Sequence, residues 1–498
     1  MQHKITLSLL LGTVLVGGIV SGGHLINKSV NTYYFPEGKA PVQALGKRNV
    51  PKPEDQKIFN AQTFELDNGM QVVLIENHKI PVVTHMVWYK VGASDEPWGK
   101  SGIAHFFEHL MFKGTEKVAP GDFSKTVRNL GGNDNAFTSQ DYTAYFQSVP
   151  SKHLGTVMEM EADRMNNLSV PEEEFLSERD VILEERNQRT DTNPTAKFME
   201  RIKASLFANH PYGIPVIGWR HEIAALDYET AMDFYDKWYA PNNAILVVSG
   251  NVTLEELKTL AQQTYGLLPA EDVPQRQWTQ APDLPGAGTY VMHDPQVKQP
   301  MWIRAYQAPS IKESYEDTLA LEVLEELLSG GSSARLYQSL VVEQKLATSV
   351  NMSYSGTLLL DGTVIFHAIP REGVTMEQIS TAIDVELLKL IREGIDAKEL
   401  SETKEKMINS SIYARDSIAG PAMIFGGSIA SGLSVDQIEY WPRDIRAVTD
   451  EKIVELITGW LNPNDPENNP SITGHLLPPK VEELNGVVEK EEASHEGE

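Results

Sequence analysis

Short apolar runs alternate with turn-forming residues and amphipathic stretches along the chain, a pattern that predicts small sheets with helices packed on them. Thr63–Leu66 and Met70–Ile75 flank Asp67-Asn68-Gly69, which predicts a β-hairpin because the turn residues tolerate positive φ. Val82–Val91 alternates as a further strand and leads through Gly92 to Gly102 into a short helix. Asp122–Leu130 reads as a second helix ended by Gly131-Gly132. Asn135–Phe146, rich in Thr, Tyr and Phe, is a strand by composition. Helices are expected over Lys152–Leu168, Glu172–Thr190 with Pro171 at its start, Met199–Ala208 and Tyr228–Trp238. Ala244–Val248 reads as a buried strand, and Thr253-x-x-Glu256 is a capping box that opens another helix.

The second half repeats the first. Leu268 to Gly288 holds several prolines and glycines between polar residues and marks a domain boundary. Beyond it, Trp460-x-Asn-Pro-Asn464 echoes Trp238-x-Ala-Pro-Asn242, 222 positions earlier. Thr375-x-x-Gln378 caps a helix that runs to Glu393 and is closed by Gly394. After Leu476 the chain turns to Pro, Glu and Lys, and a disordered tail is expected from about Val481. The expected organisation is therefore 1–23 as signal peptide or membrane anchor, 24–60 as linker and 61–267 as a first domain. An interdomain linker over 268–288, a homologous domain over 289–480 and an acidic tail over 481–498 complete it.

At 498 residues the chain exceeds one ordinary core, consistent with two domains, and its 41% hydrophobic and 22% charged residues read as globular. The formal net charge of −26 argues against nucleic acid as a partner; it favours either attraction of cationic peptides or solubility alone. With no cysteine, disulfides, thiolate metal ligands and an acylated lipoprotein cysteine are excluded. Lys4, an apolar run from Ile5 to Val20 and the small residues Ser21, Gly22 and Gly23 predict an export signal and a bacterial periplasmic protein. Because that run is nearly long enough to span a bilayer, inner-membrane attachment through residues 5–22 is the alternative.

The candidate chemistry lies in Ser101 to Thr115, where His105, Glu108 and His109 form an H-x-x-E-H signature. On a helix, His105 and His109 stand one turn apart on one face with Glu108 beside them. Two imidazoles can hold one zinc ion while the carboxylate takes a proton from water activated there, the inverzincin order. Two histidines need a third ligand. Glu178 and Glu185 are two helical turns apart and share a face, so Glu185 can ligate the metal while Glu178 fixes an imidazole from behind; Val181 and Ile182 can point toward a core. Taken alone, the acidic run from Glu172 to Glu185 reads more readily as a solvated helix face than as a source of ligands.

His105-x-x-Glu108-His109 with Glu185 76 positions on resembles the pitrilysin/insulinase family of zinc peptidases, including its bacterial two-domain members and mitochondrial processing peptidase subunits. Gly131-Gly-Asn-Asp-Asn-Ala-Phe-Thr-Ser139, His210-Pro-Tyr-Gly213 and Trp238-Tyr-Ala-Pro-Asn242 look like family landmarks, and the likeness runs from about residue 60 to 475. The resemblance implies an α+β fold of two homologous domains, each a mostly antiparallel sheet with helices on it. Together with a partner subunit they would enclose a substrate chamber. It implies one Zn2+ per chain and endopeptidase activity on peptides or unfolded segments. It also implies that the strand carrying Asn135, Ala136, Phe137 and Thr138 pairs with the substrate backbone.

In the second half, Ala320 to Gly331 stands where the motif helix stands in the first. His105, Glu108 and His109 there become Glu322, Glu325 and Glu326, so no zinc is expected at that place. Many catalytic relatives also carry an Arg and a Tyr seven residues apart after a block resembling Ser333-Ala-Arg-Leu-Tyr-Gln-Ser-Leu340. Here those positions are Val341 and Thr348, which supply neither cation nor phenol. Either a zinc-less paralogous subunit supplies the pair in a heteromer, or the chain is a weakly catalytic, peptide-holding subunit of a larger membrane-associated assembly.

Overall fold

A computed structural model of the chain describes residues 56–278, 284 and 286–479; the expected export segment, most of the first linker and the acidic tail lie outside them. The first half builds a sheet from β1 (Gln62–Glu65), β2 (Gln71–Glu76), β3 (Val82–Tyr89), β4 (Asn133–Thr138), β5 (Thr143–Pro150) and β6 (Ala244–Gly250), in the order β1-β2-β6-β3-β5-β4. β1 and β2 form the expected hairpin. Gly69 at its turn has φ 85°, a conformation that costs glycine little because it has no Cβ.

The second sheet contains β7 (Gly288–His293), β8 (Met301–Ala308), β9 (Ala347–Ser355), β10 (Gly362–Pro370) and β11 (Ser471–Leu477), ordered β7-β11-β8-β10-β9. This is the order β2-β6-β3-β5-β4 over again. In each sheet the corresponding pair, β2 with β6 and β7 with β11, is parallel, and the remaining pairs are antiparallel. Trp238 and Trp460 each close the helix that precedes β6 or β11, so the sequence echo marks a repeat of topology.

Three expectations need correction. Asn135–Phe146 is a hairpin and not one strand: β4 ends at Thr138, Ser139 N donates to Tyr142 O, and β5 returns with Thr143 opposite Thr138. The turn holds neither Gly nor Pro, and the Phe, Thr and Tyr on both sides of it outweighed Ser139 and Asp141, so composition fused the two arms. Second, β3 does not alternate, since every residue from Val83 to Tyr89 is buried. Third, Val181 is 48% exposed while Ile182 is buried.

Burial of β3 on both faces has a tertiary cause. One face, with Val83, Val87 and Tyr89, packs on the first half's own helices through Phe106, Phe107 and Leu110. The other, with Met86 and Trp88, is covered by Ala422, Ile424 and Phe425 from the helix Ala419–Ala430 of the second half. The reverse also holds. Phe198, Ile202 and Leu206 of the first-half helix Pro194–Leu206 cover Ile303, Ala305, Ile472 and Leu476 of the second sheet. Each half thus closes the back of the other's sheet.

Polar contacts pin the same junction. The buried Asp141 accepts from Tyr212 Oη at 2.7 Å and from Leu359 N at 3.0 Å, and Leu360 N donates to Tyr212 Oη at 3.0 Å. Arg276 donates to the Asp141 carbonyl at 2.7 Å while pairing with Asp95.

Candidate metal centre

The motif helix, Ile103–Leu110, is positioned by apolar residues on one side and by its N-terminus on the other. Ile103, Ala104, Phe106, Phe107 and Leu110 are fully buried, which turns His105, Glu108 and His109 toward the neighbouring helix Glu172–Arg186. The N-cap is Gly102, with φ 90° and no side chain to cap with. Glu96 does that work instead, accepting from Gly102 N and Ala104 N at 2.9 Å each and satisfying two donors the helix leaves open. Sequence reading missed Glu96 because it lies outside the helix and caps it from a loop.

At the facing surface, His109 Nε2 lies 3.2 Å and His105 Nε2 3.8 Å from Glu185 Oε2. His105, His109 and Glu185 offer three ligand atoms within 4.8 Å of one another, the one such group of three among the described residues. Glu185 Oε2 is buried and has no partner besides these two imidazoles. Two bonds of about 2.1 Å at a tetrahedral angle put ligand atoms roughly 3.4 Å apart, so this set fits a zinc ion. Glu178 Oε1 lies 2.8 Å from His109 Nδ1, on the ring edge away from Glu185, and Glu178 Oε2 is paired with Lys113 Nζ at 2.5 Å.

Glu108 stands beside this group with its Oε2 accepting from Thr138 Oγ1 at 2.7 Å. That bond ties the motif helix to β4, the terminal strand of its sheet, where Asn135, Ala136 and Phe137 also lie. A cavity of about 540 Å³, lined by Glu108, His109, Phe112, Lys113, Asn135 and Glu178 among others, opens next to the carboxylate.

Electrostatics separate the two histidines. Burial drives the His105 pKa down to about 3, with the neighbouring imidazole adding to the effect. Burial acts on His109 in the same direction, but hydrogen bonds to Glu178 and Glu185 outweigh it and push the ring up to about 9. Glu185 is lowered to about 2 against the opposing effect of burial, chiefly by its hydrogen bond with His109. The metal-free site therefore holds a proton on His109, where a cation would take its place. Burial raises the Glu108 pKa, against the Thr138 bond, so this carboxylate is readily protonated for an acid of its type.

The counterpart helix in the second half, Tyr315–Ser329, carries no such group. Glu322 accepts from Trp441 Nε1 at 3.1 Å and Glu326 pairs with Lys406 at 2.6 Å. Val341 is buried in the second core, and Thr348 Oγ1 donates to Ile369 O at 3.2 Å.

Two duplicated α+β domains, one of them bearing an inverted His-x-x-Glu-His site completed by a distant glutamate, define the inverzincin class of metallopeptidase folds. Residues 71–219 match the family described as Insulinase (Peptidase family M16), and residues 225–407 match the Peptidase M16 inactive domain. The chain is 34% identical over 347 residues to the zinc protease PqqE of Helicobacter pylori, covering 69% of this chain and 77% of that protein. It belongs to the pitrilysin/insulinase family, M16. An uncharacterised zinc protease of Bacillus subtilis, YmxG, is 26% identical across 71% of this chain and 84% of its own length. A solved Helicobacter pylori protease superposes with a TM-score of 0.78 at 29% identity, over 84% of this chain and all of that one. The periplasmic protease PqqL of Escherichia coli shares the fold at TM-score 0.70 and 20% identity, over 84% of this chain and 48% of that one.

Proposed function

We propose that the chain is a zinc-dependent endopeptidase that hydrolyses peptides or unfolded segments, with His105, His109 and Glu185 holding one zinc ion and Glu108 as general base. The observation that carries this reading is the convergence of three ligand atoms beside a desolvated carboxylate. Zinc in such a site supplies Lewis acidity toward a carbonyl and toward water. Glu108 then takes the proton from the attacking water and returns it to the departing amine, a role suited to a carboxylate whose pKa burial has raised. Thr138 holds Glu108 in place. The outer edge of β4 offers backbone groups to an extended peptide, which accounts for tolerance of varied sequences.

Val341 and Thr348 favour a second component to this reading. Neither supplies a cation or phenol, so a zinc-less paralogous subunit is the proposed source of the missing pair. Export to the periplasm, with attachment through residues 5–22 as the alternative, rests on the apolar N-terminal run. Among the described residues no helix is long and apolar enough to cross a membrane. The test is cleavage of unstructured peptides by the zinc-loaded chain, alone and mixed with its candidate paralogue. Chelator-sensitive cleavage that rises on mixing is expected; no gain on mixing removes the heteromer, and no cleavage in either case leaves a peptide-holding subunit.

A further inference from the structure

Immediately after the ligand helix the backbone widens. Asn187–Asp191 continues from Arg186 as a π-helical turn, with Thr192 N donating to Asn187 O at 3.0 Å. Such turns are uncommon and recur at functional sites because they shift the phase of the side chains that follow. In this one, Arg189 reaches back across four residues and places Nη1 2.8 Å from Glu185 Oε1. The other oxygen, Oε2, is the one that faces both imidazoles and has no other partner. The adjacent cation does not compete for this carboxylate: Arg186 is turned into the fold, where it binds Glu200 and the Gly218 carbonyl.

We infer that Arg189 is a positioning residue for the metal centre. By occupying Oε1 it makes Glu185 present a single oxygen to the cation. A carboxylate free to rotate would offer both oxygens and fill the coordination position that catalysis leaves for water. The inference rests on the reading that His105, His109 and Glu185 bind zinc. Two opposing effects have to be compared. The guanidinium repels a cation, but Arg189 is 60% exposed and solvent screens that repulsion. The bond to Oε1 is directional, as the repulsion is not, and its acceptor Glu185 is largely shielded from solvent at 18% exposure, so orientation prevails. A helix-surface ion pair without this role would leave metal binding untouched.

The experiment uses the full chain and reads metal binding without activity. Zinc affinity is measured by competition with a chromophoric chelator, and the cobalt(II)-substituted protein is followed by visible absorption, which weakens as four-coordinate cobalt becomes five-coordinate. Relative to wild type, R189M is expected to bind zinc about 10-fold or more weakly. Its cobalt bands should lose intensity. R189K keeps a donor for Oε1 and should recover most of the affinity. R189M with wild-type or tighter zinc binding overturns the inference, as does an R189M cobalt spectrum identical to wild type. Wild-type protein that fails to bind zinc at all refutes the three-ligand site itself, a different failure.

Discussion

Gly426 of the second half lies against Trp88 of the first so closely that a Cβ built on it would fall 2.0 Å from the indole Nε1. This contact lies in the exchange by which each half covers the other's sheet. Gly426→Val is expected to destabilise the protein by roughly 3 kcal/mol or more, because backbone and a buried indole must both give way. Chemical denaturation read by tryptophan fluorescence checks it. For the same reason either half produced alone exposes the back of its sheet and should precipitate.

Glu108→Gln keeps the size and the hydrogen bond to Thr138 but cannot take a proton. Zinc content, measured by metal analysis, is expected to stay near one per chain, while kcat/KM on a peptide falls by roughly 100-fold or more. His109→Ala, by contrast, removes a ligand and should lose the metal itself.

Zinc loading should release a proton. With His109 pushed up to about 9, the metal-free ring is protonated at neutral pH and must give up that proton to ligate. Apparent zinc affinity is therefore expected to weaken about tenfold for each pH unit below 9. Calorimetric titration in buffers of different ionisation enthalpy reads the proton count directly, and a count of zero at pH 7 contradicts this assignment.

Glu178→Ala removes the partner on the far edge of His109 and strands Lys113. Loss of such a partner typically loosens a metal by about 10- to 100-fold, so the variant should bind zinc that much more weakly while keeping its fold. Chelator competition beside circular dichroism separates the two effects.

The acids that replace the motif in the second half make stability depend on pH. Burial raises Glu322 to about 7; burial, then repulsion from Glu322, raises Glu325 to about 8, against an ordinary value of 4.5. A carboxyl whose folded pKa is raised binds its proton more tightly folded than unfolded. Stability is then fully present below pH 4.5 and is lost as pH rises through 7 and 8. Glu325→Gln should leave stability at about pH 4 almost unchanged and raise it at pH 8 by about 1 kcal/mol or more. Melting curves at the two pH values test this, and an equal shift at both would contradict it.

His105, Glu108, His109, Glu178 and Glu185 were legible in the linear sequence because helical periodicity is local. Spacings of three, four and seven residues place these groups on single faces whatever surrounds the helix, and their chemistry names the ion they suit. The hairpin at Gly69 and the capping box at Thr253 were legible for the same reason. Tertiary structure alone decided that Glu185 meets the two imidazoles, that Glu96 caps the motif helix and that Thr138 holds Glu108. It also decided that Val181 faces solvent and that β3 is buried on both sides, since a residue's environment depends on which distant segment packs over it. For β3 that segment begins more than 300 residues further along the chain, where no local pattern can point back to it.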